Sequence, residues 1–219
     1  MDNHAVRRLN MVESQLRTNK VTDPRILRAM AEMPREQFMP DGLRGIAYVD
    51  EDVAIGNGRF VMEPMVLARL IQAAQIKPSE LVLELGTGRG YATAILAKLA
   101  STVVSVESDA QLSAAATEAL RALGVDNAII ISGALPEGHA AQAPYDVILF
   151  GGAIAEVPKA ILAQLAEGGR MVGVLAPEDT PGRACIWTRR DGAVFSRLLF
   201  DANTPLLPGF GAVRGFVFQ

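Results

Sequence analysis

The chain has 219 residues, half of them hydrophobic, with a single cysteine and a formal net charge of −3. That length suits one domain with a buried core, and the weak acidity gives no field that would steer it to nucleic acid or an anionic membrane. Cys185 alone permits no intrachain disulfide, no apolar run approaches membrane length, and residues 1–8 lack an apolar signal core, so the expectation is a soluble cytoplasmic protein.

Residues 1–45 read as helical. Val6, Leu9, Val12 and Leu16 recur at helical spacing. Thr22-Asp23-Pro24 starts a second helix with a capping side chain and proline at its first position, and Pro34 ends it. Residues 46–64 lack periodicity and contain Gly56, Gly58 and Pro64, which predicts a loop. Met65 to Ala74 is a helix. From Leu81 strand and helix alternate. Strands are expected at 81–85, 102–107, 128–132, 145–150 and 169–175, and helices at 90–100, 109–123 and 158–166, with Gly124 and Gly168 as helix stops. This order predicts an α/β fold with a parallel sheet covered on both faces. After residue 180 two strand-like runs, 184–188 and 194–200, flank Asp191-Gly192 and predict an edge hairpin. Thr204 to Gly211 is a Pro/Gly-rich loop, and Gly215 to Phe218 is a candidate last strand. Within one domain, 1–75 would form a helical cap with a loop, 76–180 the core, and 181–219 the hairpin and edge strand.

The most informative stretch is Leu83-Glu84-Leu85-Gly86-Thr87-Gly88-Arg89-Gly90-Tyr91. An apolar strand ends in an acid and breaks into glycines at every second position, and a helix opens at once. Glycines let a backbone pass close to a ligand. The next strand, Val103-Val104-Ser105-Val106, ends in Glu107, placed to accept hydrogen bonds from ribose hydroxyls. The G-x-G-x-G spacing departs from the dinucleotide G-x-G-x-x-G, and Glu84 would repel a pyrophosphate but attract an ammonium. Both features disfavour a nicotinamide cofactor. The pattern resembles motif I of the S-adenosylmethionine-dependent methyltransferases, whose cofactor carries a sulfonium and an ammonium and no phosphate. The candidate cofactor residues are therefore Glu84, Gly86, Thr87, Gly88, Gly90, Tyr91 and Glu107.

Stretches outside this motif resemble the protein-L-isoaspartate O-methyltransferase family. They are Met11-Val12-Glu13-Ser14-Gln15-Leu16, Ala29-Met30, Pro34 through Pro40, Ala47-Tyr48, Ile55-Gly56-Asn57-Gly58 with Pro64, Tyr145-Asp146-Val147-Ile148, and Gln164 through Arg170. The resemblance covers roughly residues 11–175. It implies a doubly wound, mostly parallel, seven-stranded Rossmann-like sheet with N-terminal helices lidding the strand ends. It also implies methylation of damaged aspartyl carboxylates in proteins, a first step of repair, with S-adenosyl-L-methionine as cofactor, S-adenosyl-L-homocysteine as product and no metal. Such a reaction needs little acid–base work, because a carboxylate is already ionised at neutral pH.

Two departures bear on the site. The family's loop reads Gly-x-Gly-Gln-Thr-Ile-Ser-x-Pro, and its Thr and Ser are implied hydroxyl donors at the transfer site. Here Gly58-Arg59-Phe60-Val61-Met62 puts Phe60 and Met62 in those places, and a thioether cannot donate a hydrogen bond. Gly58, Arg59, Phe60 and Met62 are the candidate acceptor-loop residues, which leaves isoaspartyl activity in doubt. Arg59 either binds the acceptor carboxylate through paired hydrogen bonds or lies exposed. Phe60 and Met62 either shape an apolar pocket or pack on Met65 and Leu67. After the third core strand the family has Gly-Asp-Gly, with its Asp on the adenine. Gly133-Ala134-Leu135 stands there instead, leaving the backbone at Ala134 and Leu135 and the Leu135 side chain as candidates beside the base. Glu63 is expected to be solvated, Asp109 to cap a helix, Tyr91 to touch the cofactor or cover the helix start, and Trp187 to be core. Two other readings keep the cofactor site: transfer to another protein group or a small molecule, and a non-catalytic binding module.

Overall fold

The computed structural model describes residues 3–211. Its centre is a seven-stranded sheet in the order β5-β4-β3-β6-β7-β8-β9, with β3 (Leu81–Leu85), β4 (Thr102–Glu107), β5 (Ala128–Ser132), β6 (Tyr145–Ile154), β7 (Leu165–Leu175), β8 (Arg183–Arg190) and β9 (Ala193–Asp201). The first five are parallel, and β8 and β9 each run antiparallel to their neighbour. This is the doubly wound, Rossmann-like, mostly parallel sheet that the alternation predicts. The β8–β9 hairpin turns at Asp191-Gly192, where both residues have positive φ (51° and 75°), the backbone a tight two-residue turn needs. Gly215 to Phe218 lies outside the described residues.

Helices start and stop on local chemistry. α1 (Asn3–Met11) runs on through a π-helical turn at Val12–Leu16. The wider turn shifts the helical phase. Val12 and Leu16 are buried while Val6 and Leu9 stay about half exposed, so the single face expected of the four is not realised. α2 (Pro24–Glu32) opens on Asp23, whose carboxylate accepts from the Arg25 N–H. α3 (Pro64–Ala74) buries Val66, Leu67, Leu70 and Ile71. α4 (Tyr91–Ala97) follows the glycine turn, and α5 (Ala110–Ala122) is capped by Asp109, as expected. α6 spans only Lys159–Ala163, because the chain enters β7 at Leu165. Gly168 therefore sits inside a strand rather than at a helix stop.

The segment 46–64 departs further from expectation. It contains a hairpin, β1 (Val53–Gly56) and β2 (Arg59–Val61), turning through Asn57 and Gly58 at φ 51° and 69°. Asn-Gly is a strong hairpin signal, but each strand is too short for alternation to show. Pairing of Ala54 with Phe60 and of Gly56 with Arg59 sets the strand faces. Val53, Ile55, Arg59 and Val61 turn inward over the sheet ends, and Phe60 lies on the other face, half-buried.

Trp187 is core, edge-on to Phe150. Among the described residues, no helix is long and apolar enough to cross a membrane.

Candidate active site

The site forms where β3, β4 and β6 end. Parallel pairing of Glu84 with Ser105 and of Glu84 with Leu149 brings the glycine turn between the next two strand ends. Gly86 (φ 93°), Gly88 (φ 58°) and Gly90 (φ 95°) all lie in the left-handed region, where L side chains are strained. Gly151 on β6 has no room for a side chain at all. A Cβ there would stand 2.5 Å from the Gly86 carbonyl oxygen. The turn is pinned from behind by the Gly86 N–H on the Val106 carbonyl (2.9 Å), and Thr87 is buried beside it.

Glu84 is fully buried. Its Oε2 accepts from the Thr93 hydroxyl (2.5 Å) and the Ser105 hydroxyl (2.6 Å), while Oε1 has no partner among the described residues. Burial raises its pKa above the usual carboxylate range, only partly offset by the two hydroxyls, and the nearby Glu107 pushes the same way. An unsatisfied buried carboxylate oxygen suits a cationic donor such as an ammonium.

Glu107 is also fully buried, and both its oxygens accept hydrogen bonds from within the chain. Oε2 accepts from Gly88 N–H (2.7 Å). Oε1 accepts from Ser108 N–H (2.8 Å), Asp109 N–H (3.1 Å) and the Arg59 guanidinium (Nη1, 2.8 Å). Arg59, 3% exposed, is thus not a surface residue, and its Nη1 is committed to Glu107. The inward face of β2 delivers it to the strand-end acid. Asn57 anchors the hairpin tip by donating to the Asp109 carboxylate (2.6 Å).

The remaining candidates are distributed as follows. Met62 is buried, and its carbonyl accepts from Arg35 Nη2 (2.9 Å). Tyr91 is buried against Phe38, edge-on, with the Arg35 guanidinium 4.7 Å from its ring centroid, so it covers the helix start and joins the cap to the core. Leu135 packs into the core with Leu207 and Phe210 rather than presenting an open face, while Ala134 is exposed. Glu63 is half-buried, not solvated, and burial together with Asp50, Asp52 and Glu51 lifts its pKa to about 7.

Two participants carry no signal in composition or spacing. Arg35 is fully buried, with Nε donating to the Ala47 carbonyl (2.6 Å). Leu207 comes from the Pro/Gly-rich segment, which crosses the strand ends as an extended strap. Ala153 N–H donates to the Pro205 carbonyl (2.9 Å) and Leu207 N–H to the Ala153 carbonyl (2.8 Å). A lone buried arginine or a leucine before proline looks ordinary until the fold places it.

The polar set fits S-adenosylmethionine: an unsatisfied acid for an ammonium, a second acid at the next strand end, and a side-chain-free turn between them. The space is another matter. The cavity bounded by Phe60, Met62, Glu84, Gly86, Tyr91 and Gly151 holds about 20 Å³, room for about one water, whereas small-molecule sites run from roughly 300 Å³ upward.

A family model described as Protein-L-isoaspartate(D-aspartate) O-methyltransferase matches residues 7–192. The Protein-L-isoaspartate O-methyltransferase of Koribacter versatilis (strain Ellin345) is 45% identical over 168 residues, 77% of this chain and 76% of its own length. Protein-L-isoaspartate O-methyltransferase 1 of Rhodopseudomonas palustris (strain HaA2) is 37% identical over 185 residues, 84% of this chain and 76% of its own. Among solved structures, a protein-L-isoaspartate O-methyltransferase superposes with a TM-score of 0.81 at 24% identity, covering 93% of this chain and 67% of that one. A putative protein-L-isoaspartate O-methyltransferase from Plasmodium falciparum, in complex with S-adenosyl-L-homocysteine, gives 0.75 at 22% identity over 94% and 98%. At those identities the two structures speak for the fold. The match over 7–192, with relatives this similar over three quarters of the chain, settles the wider question: the chain belongs to the protein-L-isoaspartate(D-aspartate) O-methyltransferase family, and so to the S-adenosylmethionine-dependent methyltransferases.

Proposed function

We propose that this enzyme methylates the carboxylate of isoaspartyl residues in proteins or peptides, slowly as the chain stands. The observation that carries the reading is the pair of buried strand-end acids, Glu84 and Glu107, on either side of a turn of left-handed glycines, under a helical cap of the family's type. In this reading Glu84 Oε1 accepts from the cofactor's ammonium and Glu107 from its ribose hydroxyls. Gly86, Thr87, Gly88 and Gly90 form the backbone cradle, with Tyr91 behind it and Ala134 and Leu135 towards the adenine. When bound, S-adenosylmethionine supplies an electrophilic methyl group on a sulfonium.

The chain's own contribution is position and dryness. An acceptor carboxylate is ionised at neutral pH, so no residue need remove a proton. What matters is holding it still with water excluded. Gly58 and Phe60 of the hairpin, with Met62 just after it, line the acceptor side. Phe60 and Met62 exclude water but offer no hydrogen bond, and a missing donor in such a site costs on the order of 1–3 kcal/mol. The single buried cysteine, Cys185, fits work in a reducing cytoplasm.

The test is methyl transfer to an isoaspartyl peptide, with the matching aspartyl peptide as control. Slow transfer to the isoaspartyl peptide alone is expected. The double variant Phe60→Thr with Met62→Ser should raise turnover by roughly tenfold or more, since about 1.4 kcal/mol is a factor of ten. No transfer by either protein, or equal transfer to both peptides, would overturn the reading.

A further inference from the structure

Glu107 meets the family's cofactor reading with a difficulty. Its Oε1 already accepts three N–H hydrogen bonds and its Oε2 one, all from within the chain, and one of the donors on Oε1 is a guanidinium from the acceptor hairpin. Three of those partners are backbone N–H groups at the strand ends: Gly88, Ser108 and Asp109. Arg59 is not. It arrives from 48 residues away and buries a full positive charge to do so.

Arg59 also reaches past the acid. A Cβ built on Gly86 would lie 2.8 Å from Arg59 Nη2 and 2.7 Å from Leu207 Cδ2. Leu207 equally abuts Gly152, where a Cβ would stand 2.9 Å from Leu207 Cδ2. So the face that Gly86 and Gly152 leave bare is covered by two side chains of the chain itself. One is polar and matches the acid, and the other is apolar and fills the volume beside it. Arg59 Nη2 is buried with no hydrogen-bond partner among the described residues, which marks the guanidinium as imperfectly housed, and a group so placed can be displaced.

We propose that Arg59, seconded by Leu207, is an internal competitor for the cofactor: its guanidinium takes the place of the ribose hydroxyls on Glu107, and binding requires the β1–β2 hairpin and the 204–210 strap to withdraw. The proposal rests on the cofactor reading above. Withdrawal would release two stretches of chain. The hairpin is held over the turn by Arg59–Glu107 and Asn57–Asp109, and the strap by two backbone hydrogen bonds to Ala153 and one from Ala155 to the Phe210 carbonyl. Where the family has glutamine at this loop position, arginine converts a neutral residue into a charged occupant of the site. Affinity is then lowered by the fraction of molecules in which the site is open.

Calorimetric titration with S-adenosylhomocysteine tests this without any turnover. Arg59→Gln removes the charge, while the three N–H donors still hold Glu107. Its dissociation constant should fall at least tenfold below that of the unaltered protein. Arg59→Lys keeps a cation on Glu107 and should stay within about threefold of the unaltered protein. Leu207→Ala, which leaves the ion pair alone, should tighten binding by threefold or more and serves if Arg59→Gln does not fold. Tight binding by the unaltered protein, unchanged in Arg59→Gln and Leu207→Ala, would overturn the competitor while leaving the cofactor reading intact. No binding by any of them would overturn both.

Discussion

At the scale of single residues, the decisive contact is one between two buried charges. Arg59 and Glu107 sit 2.8 Å apart with neither exposed to solvent. Such a pair adds little net stability over an apolar pair, but removing one partner strands the other, at a cost of about 3–5 kcal/mol. Glu107→Ala should therefore destabilise the fold by that order in urea unfolding, over and above any loss of cofactor binding. A midpoint unchanged within error would mean the guanidinium finds water or another acceptor. Read from the sequence, Glu107 looks like a residue whose removal spares the fold. Its spacing after the second strand marks it as a ligand for ribose, and nothing in the spacing discloses a partner 48 residues earlier.

At the scale of elements, α3 begins in an acidic neighbourhood. Glu63 precedes Pro64 at the helix start, where a negative charge is ordinarily welcome. Burial and the carboxylates of Asp50, Asp52 and Glu51 outweigh that, and its pKa rises to about 7. The sign follows. Between about pH 4.5 and 7 the folded chain holds a proton that the unfolded chain has released, so stability falls as pH rises through that window and levels off above it. Glu63→Gln should remove that slope, with a gain in Tm at pH 8 that is absent at pH 4. An equal gain at both would assign the effect to packing. The hairpin beside it shows what periodicity misses. Four- and three-residue strands are too short to display alternation, yet Asn57-Gly58 marks their turn, and that turn decides that Arg59 and not Phe60 points inward at Glu107.

At the scale of the whole molecule, the cap is joined to the sheet through Arg35. Its guanidinium donates to the Ala47 and Met62 carbonyls and lies over the Tyr91 ring, tying the N-terminal segments, the acceptor loop and α4 together. Burial lowers its pKa, against the pull of Tyr91. Arg35→Ala leaves two buried carbonyls unsatisfied, at about 1–3 kcal/mol each. The expected result is a loss of about 2–4 kcal/mol in urea unfolding, with faster amide exchange in residues 47–62. Exchange that rises evenly across the sheet would show instead that the cap and core unfold as one unit.

What the sequence alone determined is what local chemistry and period decide: the alternating strands and helices, the helix caps at Asp23 and Asp109, the Asp191-Gly192 turn, and the glycine turn between two acids. Each depends on residues a few positions apart, so a linear reading reaches it. The family, too, was legible from segments spread over residues 11–175. Only the tertiary structure decided what fills the turn. The partners that bring Arg59 onto Glu107, Leu207 onto Gly86 and Arg35 onto Met62 are separated by 27 to 121 residues. Their meeting depends on the inward face of a short hairpin and on a strap crossing the strand ends, and neither a charge count nor a period in the chain encodes those long-range approaches.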